Sequence, residues 1–265
     1  MKGFRTLAIP IADEFGRSAW PEVFPVARID EIRTRTGNRH FASQMMLMPV
    51  GTERARLDSS ALRFYDADPD MRCARLGEFN ITGWSLYWDP SGARKKGDAS
   101  VCLFLLRDDR SRRAFVNDCL YLETDDDDPH PLATQAGIVL DFMERRGVFH
   151  IAVEVNGLGN ALPEILRREA DLRGRRITAA RIVNHKSKVE RILDAIEPML
   201  GTGRLWAHEK IKSTGLMSEM ADWSPGGRVG DDGLDALAGA LAATPIPLRP
   251  RGQRVPIRAN TEFRV

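Results

Sequence analysis

The spacing of apolar and polar residues divides the chain into an irregular first part and a regular part that begins near Phe79. Three stretches there are rich in β-branched and aromatic residues and predict strands: FNITGWSLYWD (79–89), SVCLFLLR (100–107) and AFVNDCLYLE (114–123). The middle stretch is almost entirely apolar, as expected for a central strand. Because short polar connections join the three, we predict an antiparallel meander.

Helix and strand patterns alternate after the meander. A helix ends at Gly147, and the buried strand VFHIAVEV (148–155) follows it. The next elements are a helix over 161–174, a strand over 175–183, a helix over 187–200 and a last, alanine-rich helix within GDDGLDALAGAL (230–241). The order β-β-β-α-β-α-β-α with a final helix predicts an α/β domain with a mixed central sheet.

The two ends of the chain differ from this domain. Residues 1–75 are turn-rich and predict an N-terminal arm or linker with one short helix over 26–37. Residues 76–245 contain the α/β pattern, and residues 246–265 form a proline-containing tail with five arginines and one acid. Such a tail is typical either of a solubilising end or of an arm that contacts a polyanion.

Composition narrows the class of protein. The 265 residues are 43% hydrophobic and 29% charged, which is enough for a core under a polar surface. No apolar stretch approaches the ~20 residues of a membrane span, and the start lacks the apolar region of a signal peptide. We therefore expect a cytosolic protein that is neither secreted nor bound to a membrane. Three cysteines without CxxC spacing indicate neither a zinc site nor a disulfide framework.

Three of the predicted apolar elements carry carboxylates where burial is expected. Asp89 closes the first strand, Glu154 lies within an apolar strand, and Asp231, Asp232 and Asp235 open the last helix. Helix capping accounts for one or two such aspartates, but three crowded anions repel one another. A buried carboxylate is costly unless it is paired or coordinates a metal. Salt bridges to arginine explain any single acid, whereas several acids in one domain favour a metal site.

The geometry of the last helix supports the metal interpretation. At about 100° per residue, its three aspartates share one arc, and Leu234, Leu237 and Leu241 occupy the neighbouring arc. The leucines can then dock on the sheet while the aspartates point at the strand ends. Oxygen ligands without His or Cys suit Mg²⁺ or Mn²⁺ rather than zinc. Such sites commonly serve phosphoryl chemistry, in which two ions about 3.5–4 Å apart act together.

Four segments, in this order, resemble the nuclease domain of terminase large subunits of tailed bacteriophages. They are ITGWSLYWDPSGARKKGDASV (81–101), IAVEVNGLGNALPEIL (151–166), KSKVERILDAIEPMLGTGRLW (186–206) and GDDGLDALAGAL (230–241). The resemblance covers roughly residues 8–245 and implies a ribonuclease H-like fold, with helices on both faces of the mixed sheet. It also implies a metal-dependent endonuclease that cuts concatemeric viral DNA into genome lengths during packaging.

The resemblance also implies roles for the acids. By position in the matching segments, Asp89, Glu154 and Asp232 are the catalytic metal ligands, and they hold two divalent ions, Mg²⁺ or Mn²⁺. Asp231 is the next choice for the third ligand, and Asp235 is expected to support the ligands without binding the ions directly. The mechanism implied is in-line hydrolysis of a phosphodiester bond.

Two further sets of residues follow from the same segments. Asp98 is the alternative to Asp89, because the usual motif places its aspartate soon after the glycine. Lys186, Lys188 and Arg191 match a basic motif of the family, which implies contacts with the DNA backbone that do not depend on sequence. An ordinary solvated helix face would carry the same three residues.

The chain departs from the family in one respect. Family members carry an N-terminal ATPase, but this sequence has no GxxxxGK[ST] segment, so we expect no ATP hydrolysis by this chain. It is then either the nuclease part alone or a stand-alone product. The implied partners are double-stranded DNA, the portal protein, the small terminase subunit and a packaging ATPase domain, with no membrane, in the cytoplasm of the host.

Three other interpretations stay open at this point. The chain could be a Holliday-junction resolvase or another ribonuclease H-like nuclease with the same acids. It could be a DNA-binding or motor-assembly module without catalytic activity, whose acids are structural. It could also be an α/β protein whose acids only cap helices and pair with arginines.

Overall fold

The computed structural model describes residues 7–13, 15–36, 41–48, 57–91, 99–125, 127–156, 160–227 and 230–248. Its strands form one large sheet and one small sheet. In chain order the strands are β1 (Arg63–Tyr65), β2 (Pro69–Asp70), β3 (Arg75–Leu76), β4 (Phe79–Asn80), β5 (Gly83–Asp89), β6 (Ser100–Asp108), β7 (Arg113–Leu122), β8 (His150–Glu154), β9 (Thr178–Ile182), β10 (Leu205–His208) and β11 (Ile246–Pro247).

The helices end at residues that favour helix termini. They are α1 (Val26–Thr36), α2 (Pro131–Arg146), α3 (Leu162–Leu172), α4 (Lys188–Gly201), α5 (Gly215–Asp222) and α6 (Asp232–Ala242). Helix α2 starts with a proline and stops at Gly147, whose φ of 63° is the left-handed conformation that terminates helices. Helix α4 starts with a capping box between Ser187 and Glu190. None of the helices within the described ranges combines the length and apolarity needed to cross a membrane.

The large sheet has the strand order β1-β10-β7-β6-β5-β8-β9. Strands β5, β6 and β7 form the predicted antiparallel meander, β8 runs parallel to β5, and β9 runs parallel to β8. On the other side of the meander, β10 is parallel to β7, and β1 is parallel to β10. The predicted mixed α/β class is confirmed: three antiparallel strands are followed by parallel strands.

Side chains that alternate along the central strand β6 build two cores, one on each face of the sheet. Leu103 and Leu105 pack with residues of α4 and α6, whereas Cys102, Phe104 and Leu106 pack with residues of α2 and α3. All five side chains are fully buried. This two-sided burial explains why the β6 segment is apolar throughout, and it confirms helices on both faces.

Several short elements were not predicted. Strands β1, β2, β3 and β10 and helix α5 are absent from the sequence-based assignment, and the strand predicted over 79–89 is divided into β4 and β5. Strand β1 lies in the segment assigned to the arm, and β11 lies in the segment assigned to the tail; both pair with the large sheet. The domain boundaries themselves stay a prediction. Asp98, the glycines of 157–159 and residues 249–265 of the basic tail lie outside the described residues.

Candidate metal centre

Strand direction and side-chain alternation bring Asp89 and Glu154 to one place. They are the last residues of the parallel neighbours β5 and β8. In each strand the residue before them faces the α2–α3 core: Trp88 in β5 and Val153 in β8. The alternation of a strand therefore turns both carboxylates toward α4 and α6.

Helix α6 delivers a third carboxylate to the same place. Leu234 and Leu237 are fully buried against the sheet, as the arc of leucines predicts. Gly239 lets the helix approach closely, because a Cβ there would lie 2.2 Å from a ring carbon of Tyr87. Asp235, in the first turn, is 4% exposed and faces the strand ends.

The three acids form one cluster. One carboxylate oxygen from each of Asp89, Glu154 and Asp235 lies within 4.8 Å of the other two. Asp235 Oδ1 is buried and has no hydrogen-bond partner among the described residues, which is costly unless another group satisfies it. An all-oxygen donor set with an unsatisfied buried oxygen fits a hard divalent cation such as Mg²⁺ or Mn²⁺.

Arg191, one of the three residues predicted to contact DNA, lies inside the cluster. Its Nη1 donates to both carboxylate oxygens of Glu154 at 3.0 and 3.1 Å, and its Nη2 lies 2.6 Å from Asp235 Oδ2. The guanidinium therefore holds two of the three acids together. Glu154 and Asp235 therefore form salt bridges and also belong to the candidate metal cluster, so both interpretations apply to them.

Lys188, one turn before Arg191 on α4, neutralises the other two aspartates. Its Nζ lies 2.6 Å from Asp231 and 2.8 Å from Asp232. Asp232 Oδ2 also accepts a hydrogen bond of 2.7 Å from the backbone amide of Ala99, the residue just before β6. Asp232 is therefore held by the lysine and the amide and is not one of the three clustered acids.

A second set of side chains fixes the orientation of Glu154. Tyr87 donates its hydroxyl to Glu154 Oε2 at 2.8 Å, and Asn156 donates to Oε1 at 3.0 Å. Asn184 donates to the hydroxyl of Tyr87 at 3.1 Å. Together with Arg191, these donors engage both oxygens of the carboxylate, so its rotation is restricted.

The start of α6 is stabilised by an acid from another helix. Asp231 is the N-cap residue but makes no side-chain capping hydrogen bond. Glu219 of α5 accepts the hydrogen bond of the Leu234 amide at 3.1 Å, and Tyr121 donates its hydroxyl to Glu219 at 2.8 Å. The helix is thus capped by a distant carboxylate, which leaves its own aspartates free for other contacts.

Burial and mutual repulsion change the ionisation of the cluster. Burial raises the pKa of Asp89 to about 8, and the nearby carboxylates of Glu154 and Asp235 act in the same direction. Burial also raises the pKa of Asp235 to about 7, although Arg191 and Lys188 oppose it. Near neutral pH the Asp89 carboxyl is therefore mostly protonated, and the Asp235 carboxyl is partly protonated. A bound divalent cation favours the ionised forms, so it would release these protons.

Among the predicted site residues, Asp89, Glu154 and Asp235 come together, with Arg191 between two of them. Lys186 is exposed and pairs with Asp194 at 3.1 Å, away from the acids. Contacts of the three basic residues with DNA stay a prediction. The sequence analysis missed Tyr87, Asn184 and Glu219. The only signal for them was a polar residue within or beside an apolar element, which by itself does not indicate a partner.

Fold and cluster together define a mixed α/β domain with three converging carboxylates. No protein-family model and no curated protein matches the chain. Among solved structures, the chain is similar to the human cytomegalovirus terminase nuclease domain soaked with Mn and bound to an inhibitor (14% identity, TM-score 0.48, 70% of this chain and 92% of that chain). It is also similar to the nuclease domain of the P22 large terminase (11% identity, TM-score 0.48, 71% of this chain and 91% of that chain).

A third similar structure is the nuclease domain of the large terminase subunit gp2 of the bacterial virus Sf6 (14% identity, TM-score 0.45, 63% of this chain and 91% of that chain). The resemblance to terminase nuclease domains noted in the sequence is thus found again among the structures. Because the identities and TM-scores are low, no residue role or activity is transferred from these proteins to this chain.

Proposed function

We propose that this chain is a metal-dependent endodeoxyribonuclease. The observation that carries the proposal is the convergence of three carboxylates within 4.8 Å at the ends of two parallel strands and in the first turn of a helix. The order of the four sequence segments that resemble terminase nuclease domains supports the same activity. The substrate proposed is concatemeric double-stranded viral DNA, cut into genome lengths during packaging.

The ligands that we propose are Asp89, Glu154 and Asp235. This assignment exchanges Asp232 for Asp235 as the third ligand, because Asp235 lies in the cluster and has an unsatisfied oxygen. Asp232 and Asp231 are proposed instead to hold Lys188 beside the site.

The residues of the chain prepare the site in three ways. Tyr87 and Asn156 orient the carboxylate of Glu154, and Arg191 fixes the spacing between Glu154 and Asp235. Asp89 holds a proton near neutral pH, which reduces repulsion within the cluster. When bound here, two divalent ions would lower the pKa of an attacking water and stabilise charge on the leaving oxygen.

The wider context belongs to the same proposal. Double-stranded DNA is the substrate, and the portal protein, the small terminase subunit and a packaging ATPase domain are the partners. The site of action is the cytoplasm of the host cell. Lys186 is available for the DNA backbone, because its side chain is 68% exposed.

Plasmid cleavage tests the proposal. Supercoiled plasmid is incubated with the wild-type chain in Mg²⁺, in Mn²⁺ or in EDTA, and the same reactions are run with Asp235→Asn and Asp232→Asn. We expect cleavage that requires the cation and falls about a hundredfold or more in Asp235→Asn, since loss of a partner that only supports a metal ligand already costs about 10–100-fold. Asp232→Asn should retain much more activity. Asp141→Asn is the matched control, because that aspartate pairs with Arg173 on the surface.

Each alternative function predicts a different result. Cleavage that persists in EDTA would contradict the metal mechanism, and equal activity of Asp235→Asn and wild type would contradict the ligand assignment. Preference for four-way junctions over linear duplex would indicate a resolvase. Duplex binding without nicking in Mn²⁺ would indicate a module without catalytic activity.

A further inference from the structure

A cavity of about 760 Å³ lies between α4 and α6, next to the acid cluster. Its walls come from these two helices, from the turn between β6 and β7 and from the segment 184–186. The floor consists of small or apolar residues: Ala195, Met199, Ala238, Gly239 and Leu241. A concave site of this size with an apolar floor has the properties of a small-molecule site.

The rim of the cavity is cationic. Four basic side chains line it with two carboxylates, those of Asp109 and Asp194. The four are Arg107, Arg112, Lys186 and Arg191; the guanidinium of Arg113, which also borders the cavity, lies over the Phe79 ring on the other face of the sheet. The charge excess favours an anionic ligand, and the apolar floor favours a ligand with a hydrocarbon or ring body.

Two arginines of the lining have unused hydrogen-bond donors. Nη2 of Arg107 donates to the carbonyl oxygens of Ala240, Leu241 and Ala243 at the end of α6. Nε of Arg107 and Nε of Arg191 are buried and have no hydrogen-bond partner in the described part of the chain. Buried donors without partners are unfavourable, so an anion that draws either guanidinium toward the cavity would satisfy a donor that the described residues leave unpaired.

Arg191 connects the cavity to the acid cluster. It lines the cavity and at the same time bonds to Glu154 and Asp235 through its two terminal nitrogens. Any ligand that binds this guanidinium therefore acts on the charge balance of the proposed metal site.

We propose that the cavity binds a small amphipathic anion, whose apolar body lies on the floor and whose carboxylate, phosphate or sulfonate group lies at the arginine rim. Duplex DNA is a poorer fit for the floor, because it presents its phosphates on a convex surface and the five described floor residues include no aromatic side chain for a base to stack on. Lys186, at the rim, stays available to the DNA backbone. An organic acid and a nucleotide share the required chemistry.

The bound anion is coupled to the metal site through Arg191. An anion that draws the guanidinium toward the cavity weakens its bonds to Glu154 and Asp235, which leaves these acids more negative and favours a divalent cation. Coupling is reciprocal, so the cation increases the affinity for the anion by the same factor, about fivefold or more for typical coupling. The coupling rests on the proposed function, whereas binding of the anion does not.

Fluorescence titration with 8-anilinonaphthalene-1-sulfonate tests the site on the full chain. We expect one dye per chain and an affinity about tenfold weaker in Arg112→Gln, because the variant cannot donate a charge-assisted hydrogen bond to the sulfonate. Ala195→Trp, which fills the floor, should abolish binding. Arg110→Gln is the matched control, because Arg110 is exposed in the same turn but does not line the cavity. Circular dichroism confirms that each variant is folded.

Equal dye binding by the wild type, Arg112→Gln and a folded Ala195→Trp would place the dye elsewhere and overturn the proposal. Competition separates the sources: displacement by octanoate indicates an organic acid, and displacement by dAMP indicates a nucleotide. If neither displaces the dye, or if a short DNA duplex displaces it better than both, the proposal is wrong.

The coupling is tested with Mg²⁺. Saturating Mg²⁺ should tighten dye binding in the wild type but not in Asp235→Asn, and calorimetry measures Mg²⁺ binding independently. If Mg²⁺ binds and the dye affinity does not change, the coupling is refuted. If Mg²⁺ does not bind at all, the proposed function fails, while the dye titrations still decide whether the cavity is a binding site.

Discussion

Asp89→Asn should make the metal-free protein more stable, and the gain should grow with pH. The pKa of this carboxyl rises from 3.8 in the unfolded chain to about 8 in the folded protein. Between these values the folded state binds more protons than the unfolded state, so the stability of the wild type falls as pH rises from about 4 to about 8. Asparagine keeps the shape of the side chain but does not ionise, so the variant lacks this loss.

The size of the effect follows from the pKa change. About four pKa units at about 1.4 kcal/mol each set an upper bound of about 6 kcal/mol. Water and neighbouring side chains adjust around a buried charge and reduce such energies severalfold, so we expect a gain of about 1–3 kcal/mol above pH 8 and little gain at pH 4. For a chain of this length the gain corresponds to about 2–10 °C in Tm.

Urea unfolding followed by tryptophan fluorescence, in EDTA at about pH 4 and about pH 9, measures the effect. Asp141→Asn is the control, since its carboxylate is on the surface and pairs with Arg173; its effect should be small at both pH values. A variant that is less stable than the wild type at high pH would refute the reasoning. So would a gain of the same size at both pH values, because it would not come from ionisation.

Three other predictions concern the metal and helix α6. Asp89 and Asp235, with pKa values raised to about 8 and about 7, must ionise to bind a cation. Calorimetry in buffers of different ionisation enthalpy should therefore show proton release, and below these pKa values the Mg²⁺ affinity should rise up to about tenfold per pH unit for each proton released. An Mg²⁺ affinity that does not depend on pH would contradict this. Gly239→Ala should destabilise the protein by about 1–3 kcal/mol in chemical unfolding, because the added methyl group would clash with the ring of Tyr87. The control Gly230→Ala should be neutral, because open space surrounds that glycine. Equal stability of the two variants would refute the close packing of α6 on Tyr87. Glu219→Gln should cost about 1–2 kcal/mol in the same assay through a weaker helix cap, and no change would show that the cap is unimportant.

The elements that sequence could predict are those with a long apolar repeat. Strands β5 to β9 and helices α2, α3, α4 and α6 each carry enough periodic positions to be recognised. Strands β1 and β10 have three and four residues. They are strands because distant segments pair with them, and a pairing between residues 63–65 and 206–208 leaves no local trace.

The candidate site was predictable in its residue types but not in its geometry. The positions of Asp89 and Glu154 in their strands predicted that the two side chains lie close together. The aspartates of the last helix were predicted to point at the same strand ends. The helical arc placed Asp232 and Asp235 on the same side and could not rank them. Packing decides the difference: Asp232, at the first position of α6, reaches the amide of Ala99, while Asp235 is one turn deeper.

The role of the basic residues could not be predicted from the sequence alone and required the structure. Spacing on a helix shows that two cations share a face, but not what that face contacts. Lys188 and Arg191 were therefore assigned to DNA on the basis of the family resemblance. In the structure both cations are engaged by carboxylates, which lie far away in the chain.

The pairing of Lys188 and Arg191 of α4 with carboxylates has a consequence for how the protein folds. Two cations built into the chain spread over four carboxylates, so the chain can fold before any ion arrives. In a zinc finger, by contrast, metal binding supplies the folding energy. Here the ion that we propose would be an exchangeable component, so a chelator that removes it should leave the fold in place.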